Sequence, residues 1–141
     1  THAPIAIRTS AGCLPLLTAV PSPSQVRHLQ AEAEAHLNGV AFGMASTLPC
    51  EPGFEPRRYW RGPVWAIMNW MIAEGFSRHG CKALAARIRN DTMPAIARNG
   101  FGEYFDPRTG EALGGDTFSW TAAIAMLILD GSGQTDTGDS G

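Results

Sequence analysis

One segment of the sequence is apolar around almost the whole circumference of a helix. It is predicted to begin near Gly62 and Pro63, where proline suits a first turn, and to run to about His79. Its apolar side chains are Val64, Trp65, Ile67, Met68, Trp70, Met71, Ile72 and Phe76. Because a helix that is apolar on every side has to be buried on every side, the fold must surround this segment with other elements.

The neighbouring segments alternate with it in character. Residues 23–37 and 81–98 predict one-sided amphipathic helices, the first capped at Ser22 and the second kinked or split at Pro94. Residues 118–129 predict a second wholly apolar helix, and residues 1–22 predict an irregular lead-in. Half-exposed helices alternating with buried ones indicate two concentric layers. A closed double ring needs more helical hairpins than 141 residues supply, so we predict an all-α partial barrel with long loops.

Composition excludes several classes of function. A net charge of −2 without a broad basic patch argues against nucleic acid, and no apolar run is long enough to span a membrane. The three cysteines and four histidines lack metal-ligand spacing, so we expect no metal site. We expect no cofactor either. The chain starts at Thr1 without methionine or a leader, and we expect it to be a fragment of a longer protein.

Aromatic, arginine, glycine and carboxylate residues concentrate in two segments, 57–70 and 100–120. Sugar sites use such residues, because pyranose faces pack on aromatic rings and hydroxyl groups need rigid polar partners. The candidate ring faces are Tyr59, Trp60, Trp65, Trp70, Tyr104, Phe105 and Trp120, and the candidate polar partners are Arg61, Asn69, Asp106 and Asp116. A structural reading stays open: Trp65 and Trp70 could be core residues, and Arg61 could bond loop carbonyls.

Glu103 is the sharpest single candidate for catalysis. It follows Gly102 and precedes two aromatic residues, in a loop after a helix, where desolvation suits a carboxylate for general acid–base chemistry. The alternative is that Glu103 forms an ion pair with an arginine such as Arg61 or Arg108. Asp106 is predicted to bond backbone amides in a turn that Gly110 closes with a positive φ.

Three blocks together resemble the C-terminal third of glycoside hydrolase family 63. They are YWRGPVW (59–65) followed by Asn69 and Trp70, GFGEYFDPRTGE (100–111), and GG-DTFSWTAA (114–123). The family includes processing α-glucosidases and mannosylglycerate and glucosylglycerate hydrolases. The resemblance implies a six-hairpin (α/α)6 barrel that cleaves α-glycosidic bonds with inversion.

The resemblance also implies roles for particular residues. The glutamate of the EYF motif is the family's general base and maps onto Glu103. The residues that map onto the border of the sugar pocket are Tyr59, Trp60, Arg61, Trp65 and Trp120. The family's general acid is an upstream aspartate near a tryptophan, and neither Asp91 nor Asp130 has such neighbours. We therefore expect the chain to need the missing N-terminal half of the barrel and to be inactive alone.

We predict residues 1–130 to be the C-terminal portion of a catalytic domain and residues 131–141 to be a disordered tail. The expected substrate is an α-glucoside or α-mannoside, and the expected location is the cytoplasm. Two other functions stay open at this point. One is a non-catalytic carbohydrate-binding or degenerate module, and the other is a trehalase-like or debranching-like six-hairpin enzyme.

Overall fold

The computed structural model describes residues 6–132, and that range is mostly helical. A 3-10 helix spans Ser10–Leu17, and four α-helices follow: α1 (Pro23–Leu37), α2 (Ala66–Arg78), α3 (Lys82–Asn99) and α4 (Ser119–Ser132). Two short strands, β1 (Tyr104–Phe105) and β2 (Ala112–Leu113), pair antiparallel. The structure thus corrects the predicted element types at two points. A small hairpin interrupts the all-α chain, and the lead-in contains a helix.

The predicted start of α1 is confirmed in detail. Ser22 and Gln25 form a reciprocal capping box: the Ser22 side chain accepts from the Gln25 amide, and the Gln25 side chain accepts from the Ser22 amide. Pro23 occupies the first turn, where its missing amide hydrogen costs nothing. The helix ends at Leu37, and Gly39 follows with a φ of +81°.

The structure corrects the predicted start of α2 by three to four residues. Val64 forms a β-bridge with Phe105, and each amide donates to the other carbonyl at 2.8 Å. Trp65 is extended and caps the helix, which begins at Ala66. Pairing with the hairpin therefore holds residues 62–65 out of the helix although their sequence suits a helical start.

Burial confirms the alternation of helix types only in part. On α2, the residues Ile67, Met68, Trp70 and Met71 are half-buried and not enclosed. The sequence predicts a wholly buried last helix, yet Met126 is 72% exposed and Leu129 is 62% exposed. Within residues 6–132, no element covers that face of α4.

Two hydrophobic clusters form the core, and α2 contributes to both. Its C-terminal half packs Ile72 and Phe76 with the 3-10 helix, α1 and α3. Its N-terminal half packs Ala66 with β1, α3 and α4. The 3-10 helix lies very close to α2, since a Cβ on Gly75 would stand 2.7 Å from the Cβ of Leu16. The apolar segment is thus the central helix, as its composition requires.

Helix α3 follows the prediction except at its proline. Leu84, Ile88 and Ile96 are buried, and Lys82 and Arg87 are exposed. Of the two outcomes predicted at Pro94, the split is wrong, because the helix is continuous from Lys82 to Asn99, and the kink stays a prediction. The structure also continues α4 through Ser132, two residues into the predicted tail, and the remaining residues of that tail lie outside the described range.

The hairpin turn confirms the prediction for Asp106. Its Oδ1 accepts from the amides of Arg108 at 2.9 Å and Thr109 at 3.4 Å, and Gly110 has a φ of +76°. Strand register pairs Tyr104 with Leu113 and Phe105 with Ala112. This turn sets the geometry of the segment that carries Glu103.

No helix among the described residues is long and apolar enough to cross a membrane.

The buried His36 predicts a pH dependence of stability. Its Nδ1 lies 2.9 Å from the Ala45 carbonyl oxygen, and burial lowers the pKa of this histidine below the ordinary value of 6.5. Because the pKa of His36 is lower in the folded chain than in the unfolded chain, the unfolded chain binds a proton more tightly. The free energy of unfolding therefore falls as pH decreases through 6.5. The expected slope is at most about 1.4 kcal/mol per pH unit.

Urea unfolding at pH 7.5 and at pH 5.5 would measure this slope. His36→Asn retains a donor for the Ala45 carbonyl and should flatten the pH dependence. His28→Asn, at an exposed position of α1, should leave it unchanged. Equal pH dependence in His36→Asn and the unmodified chain would contradict the assignment.

Candidate active site

Four aromatic residues from the two predicted segments meet in one cluster, which we call the aromatic cluster. It consists of Tyr59, Trp60, Trp65 and Tyr104. Trp60 and Trp65 stack with their ring centroids 4.2 Å apart and an interplanar angle of 4°. Trp65 also stacks with Tyr104 at 5.0 Å, while Tyr59 stands edge-on to Trp65 at 4.9 Å. Tyr59 and Trp60 remain about half exposed, so the cluster offers ring surface to a ligand.

The loop before α2 is held by hydrogen bonds between its backbone and two hydroxyl side chains, and it presents the first two of these rings. The Thr47 hydroxyl donates to the Trp60 carbonyl at 3.1 Å, and the Gly62 amide donates to the Ser46 hydroxyl at 3.0 Å. A Cβ on Gly62 would lie 2.5 Å from the Glu55 carbonyl oxygen, so the close approach of the two chain segments requires glycine. The long loop is therefore a rigid platform.

Tyr59 has a strained backbone at the centre of the cluster. Its φ of +34° is positive, which is uncommon for any residue other than glycine. The Trp65 indole N–H donates to the Tyr59 carbonyl at 3.1 Å and holds this conformation. The phenol hydroxyl donates to Glu103 Oε1 at 3.3 Å, and desolvation together with the Glu103 charge raises the pKa of Tyr59.

Glu103 is half-buried beside the aromatic cluster. Its amide donates to the Leu113 carbonyl at 3.0 Å, which fixes the residue to the second strand. The alternative of an ion pair with Arg61 or Arg108 is not what the structure shows. Arg61 pairs with Glu55 at 3.0 Å, and the guanidinium of Arg108 lies over the Phe54 ring at 5.3 Å. The Glu103 carboxylate thus receives a phenol hydroxyl and not an arginine.

An exposed ion pair joins the loop to the hairpin turn. Both guanidinium arms of Arg57 bind the Glu111 carboxylate, and Arg57 also lies 3.6 Å from Asp106 Oδ2. Arg57 lowers the pKa of Glu111 below its usual range. Because this pair is solvent-exposed it contributes little stability, but it links the segment of Tyr59 to the segment of Glu103.

Asn69, one of the predicted sugar contacts, is buried and bonded within the chain. Its side chain is 1% exposed, and Oδ1 accepts from the Met44 amide at 2.6 Å and from the Thr92 hydroxyl at 3.0 Å. Nδ2 donates to the carbonyls of Met44 at 3.0 Å and Trp65 at 3.2 Å. Since an amide side chain has two donors and one oxygen with two lone pairs, no bond is left for a sugar.

Three other predicted sugar contacts do not present a side chain next to Glu103. They are Trp65, Trp120 and Arg61. Trp65 is 5% exposed and presents little open ring face, so a direct sugar contact by it stays a prediction. Trp120 is 63% exposed at the start of α4 and contacts Phe118 at 5.7 Å. Arg61 lines, with Trp60 and Thr47, a groove of about 490 Å³. The structure therefore brings Glu103 together with Tyr59 and Tyr104 and places Arg61 and Trp120 in other contacts.

Sequence reasoning missed Gly114 and Thr121 as parts of the site. Gly114 has a φ of +73° and lies against the Glu103 side chain, and the Thr121 hydroxyl donates to the Gly102 carbonyl at 2.7 Å. Both belong to the third motif, where the pair of adjacent glycines signals a close backbone approach. Among residues 6–132 no group of three or more side chains has the makeup of a metal site.

A helical scaffold that presents a carboxylate beside half-exposed aromatic rings suits a carbohydrate-active protein. Residues 1–121 match the mannosylglycerate hydrolase MGH1-like glycoside hydrolase domain, and the chain belongs to this glycoside hydrolase family. It is 49% identical over 124 residues to mannosylglycerate hydrolase from Thermus thermophilus, covering 88% of this chain and 30% of that protein. It is 41% identical over 81 residues to glucosylglycerate hydrolase from Mycolicibacterium hassiacum, covering 57% of this chain and 18% of that protein.

A solved structure agrees with these similarities. The crystal structure of GH63 mannosylglycerate hydrolase from Thermus thermophilus in complex with Tris and D-glycerate matches with a TM-score of 0.85 and 47% identity. The match covers 92% of this chain and 31% of that one. The resemblance to family 63 drawn from the three motifs is confirmed. The chain spans about a third or less of the length of the relatives it matches.

Proposed function

We propose that this chain is the C-terminal portion, through residue 130, of the catalytic domain of an inverting α-glycosidase, and that Glu103 is its general base. The observation that carries the proposal is the Glu103 carboxylate, half-buried beside the aromatic cluster and bonded by the Tyr59 hydroxyl without an arginine partner in residues 6–132. A base needs to be ionised and held near a sugar platform. Trp60 and Tyr59 supply the exposed ring surface for that platform.

The mechanism uses two carboxyl groups with one water between them. In inverting enzymes these groups stand about 6.5–9.5 Å apart. Glu103 removes a proton from the water as its oxygen attacks the anomeric carbon, and the general acid gives a proton to the departing oxygen on the other side. Asp106 is 4% exposed and held in its turn, and Asp91 pairs with Arg87 at 3.4 Å. We therefore place the acid outside the described residues.

The substrate class follows from the relatives. Their names specify mannosylglycerate or glucosylglycerate, and one structure contains D-glycerate. We propose an α-mannoside or α-glucoside of glycerate as the substrate. Identity between 41% and 49% favours this class over a trehalase-like or debranching-like enzyme. The sugar itself is tested by comparing kcat/KM for the two compounds.

The proposed partner of this chain is the N-terminal part of the same (α/α)6 barrel. The exposed apolar residues of α4, among them Met126 and Leu129, form a face that needs covering. The half-buried Met68 and Met71 of α2 leave a second such face. The short coverage of the relatives supports a longer parent protein. A cytoplasmic location stays a prediction, which cell fractionation would test.

The isolated chain is expected to hydrolyse neither mannosylglycerate nor glucosylglycerate at a useful rate. Without a general acid the leaving oxygen departs unprotonated, and that assistance is typically worth about 10²–10⁴-fold. Assay of the purified chain measures this directly. Robust turnover by the chain alone would contradict the division of the two carboxyl groups between segments.

Adding the complementary segment, or using the complete enzyme, should restore hydrolysis. Proton NMR of the first-formed sugar should then show the β anomer, because attack by water inverts the α configuration. The α anomer as first product would exclude the inverting mechanism. Sugar binding without turnover in the complete enzyme would favour the non-catalytic module.

A further inference from the structure

We propose that Gly114 is a positioning residue for Glu103, and that the two carboxylate oxygens have different tasks. Oε1 accepts the Tyr59 hydroxyl, and Oε2, which lies against Gly114, is the oxygen that takes the proton from water. This inference rests on the proposed function of Glu103. Gly114 and Gly115 directly follow Leu113, the last residue of β2.

The contact between Gly114 and Glu103 is as close as a glycine allows. A Cβ on Gly114 would lie 2.6 Å from Glu103 Oε2, 2.9 Å from Glu103 Cβ and 2.8 Å from Cε1 of Tyr104. Distances below 3.0 Å are essentially never found for real Cβ atoms, so a side chain here would have to displace the carboxylate. The space next to Oε2 therefore depends on the missing side chain.

The Tyr59 hydroxyl bonds the other carboxylate oxygen, Oε1. The hydroxyl lies 3.3 Å from Oε1 and donates, since an ionised carboxylate only accepts. The strained φ of +34° at Tyr59 and the Trp65 bond to its carbonyl aim this hydroxyl. With Oε1 bonded to this hydroxyl, Oε2 is the oxygen on the side of Gly114.

Oε2 is the oxygen left for the proton transfer, because Oε1 already accepts the Tyr59 hydroxyl. A methyl group at residue 114 would stand 2.6 Å from Oε2 and would turn the carboxylate away from the direction in which it accepts a proton. In the reaction the water O–H bond breaks, its proton goes to Oε2, and its oxygen bonds to the anomeric carbon while the glycosidic bond breaks and the leaving oxygen takes the acid's proton.

The neighbouring Gly115 provides a matched control. Its φ is +109°, so alanine would strain its backbone as well, yet a Cβ there meets nothing within 4 Å. Gly114→Ala adds the same methyl group at a position with a φ of +73° and the contact with Glu103. A difference between the two variants therefore reports the contact and not the strain.

The first experiment uses the chain itself and needs no activity. The sequence contains two tyrosines, Tyr59 and Tyr104, so 19F NMR of chain labelled with 3-fluorotyrosine resolves the titration of each. The groups that face the Tyr59 hydroxyl are the Glu103 carboxylate and the Tyr104 phenol. Glu103→Gln should lower the pKa of Tyr59, and Gly114→Ala should lower it too, because the displaced carboxylate no longer faces the phenol.

Gly115→Ala should leave the Tyr59 titration unchanged. Gly114→Asn provides a second variant if alanine prevents folding, since asparagine tolerates positive φ while still carrying a Cβ. An unchanged Tyr59 titration in folded Gly114→Ala or Gly114→Asn would overturn the proposal, and so would equal shifts in the variants of the two glycines.

The second experiment measures kcat and KM in the complete enzyme. Gly114→Ala should lower kcat by about 10²-fold, the effect of roughly 1 Å of misplacement, with KM nearly unchanged. Gly115→Ala should retain kcat within a small factor. A loss confined to KM, or an equal loss of kcat in both variants, would overturn the positioning role. If Tyr59 titrates as expected but the intact enzyme cleaves no glycoside, the contact stands and the proposed function fails.

Discussion

Glu103→Gln in the complete enzyme is expected to lower kcat by about 10²–10⁴-fold, the usual value of a general base. The amide keeps the shape and can still accept the Tyr59 hydroxyl at Oε1, which lies 3.3 Å away. It cannot take a proton from water. KM should change little because we expect the sugar to pack on the rings of Tyr59 and Trp60, which the variant leaves in place.

The pH profile separates loss of a base from general damage. In the unmodified enzyme kcat/KM should show the acidic limb that an essential base produces, and Glu103→Gln should lose that limb. Glu34→Gln, on the exposed side of α1, makes the same chemical change away from the cluster and should retain full activity. Unchanged turnover in Glu103→Gln would remove the residue from the base role and favour the non-catalytic alternative.

Local signals in the sequence are sufficient to predict several structural elements. The capping box at Ser22 and the turn at Asp106 each involve residues within four positions of one another, so their chemistry can be read from the chain. The central helix is predictable for a similar reason, because its side chains are apolar all round. The predicted helix start is wrong by contrast, since Val64 pairs with Phe105, 41 positions away.

The site is predictable in its residue types but not in its contacts. The motifs identify Glu103 and the aromatic residues as candidates, and the structure brings Tyr59 within 3.3 Å of Glu103 across 44 positions. No local sequence signal predicts that Trp65 is buried while Trp60 stays half exposed. Those orientations depend on the β-bridge and on the indole bond to Tyr59, which are contacts that only the folded chain makes.

Asn69 shows how a motif residue can serve the fold. It follows the YWRGPVW block, which predicts a hydrogen bond to a sugar, yet its amide joins the backbone of Met44 to α2 and to Thr92 of α3. Gly43 beside it has a φ of +65°, and a Cβ there would lie 2.9 Å from Asn69 Oδ1. The asparagine therefore anchors the long loop whose far end carries Tyr59 and Trp60.

Asn69→Leu is expected to lower the free energy of unfolding of the chain by about 2–6 kcal/mol. Leucine has the same branching as asparagine but is larger and has no polar atoms, so the loss reports mainly the amide and carbonyl of Met44 left buried without partners, at about 1–3 kcal/mol each. Thr92 still donates to the Ile88 carbonyl at 2.7 Å, and the Trp65 carbonyl keeps its helical bond from the backbone N–H of residue 69. Urea denaturation followed by circular dichroism measures the change.

Asn90→Leu is the matched control, because Asn90 lies on the exposed side of α3, and it should change stability by no more than about 0.5 kcal/mol. A sugar-binding asparagine would behave in the opposite way, since its loss would weaken substrate binding in the complete enzyme and leave the unfolding curve in place. Stability of Asn69→Leu within the range of the control would therefore return Asn69 to the list of substrate contacts. The expected large loss instead makes the loop anchor a condition for the aromatic cluster, because Tyr59 reaches Glu103 only when that loop is held.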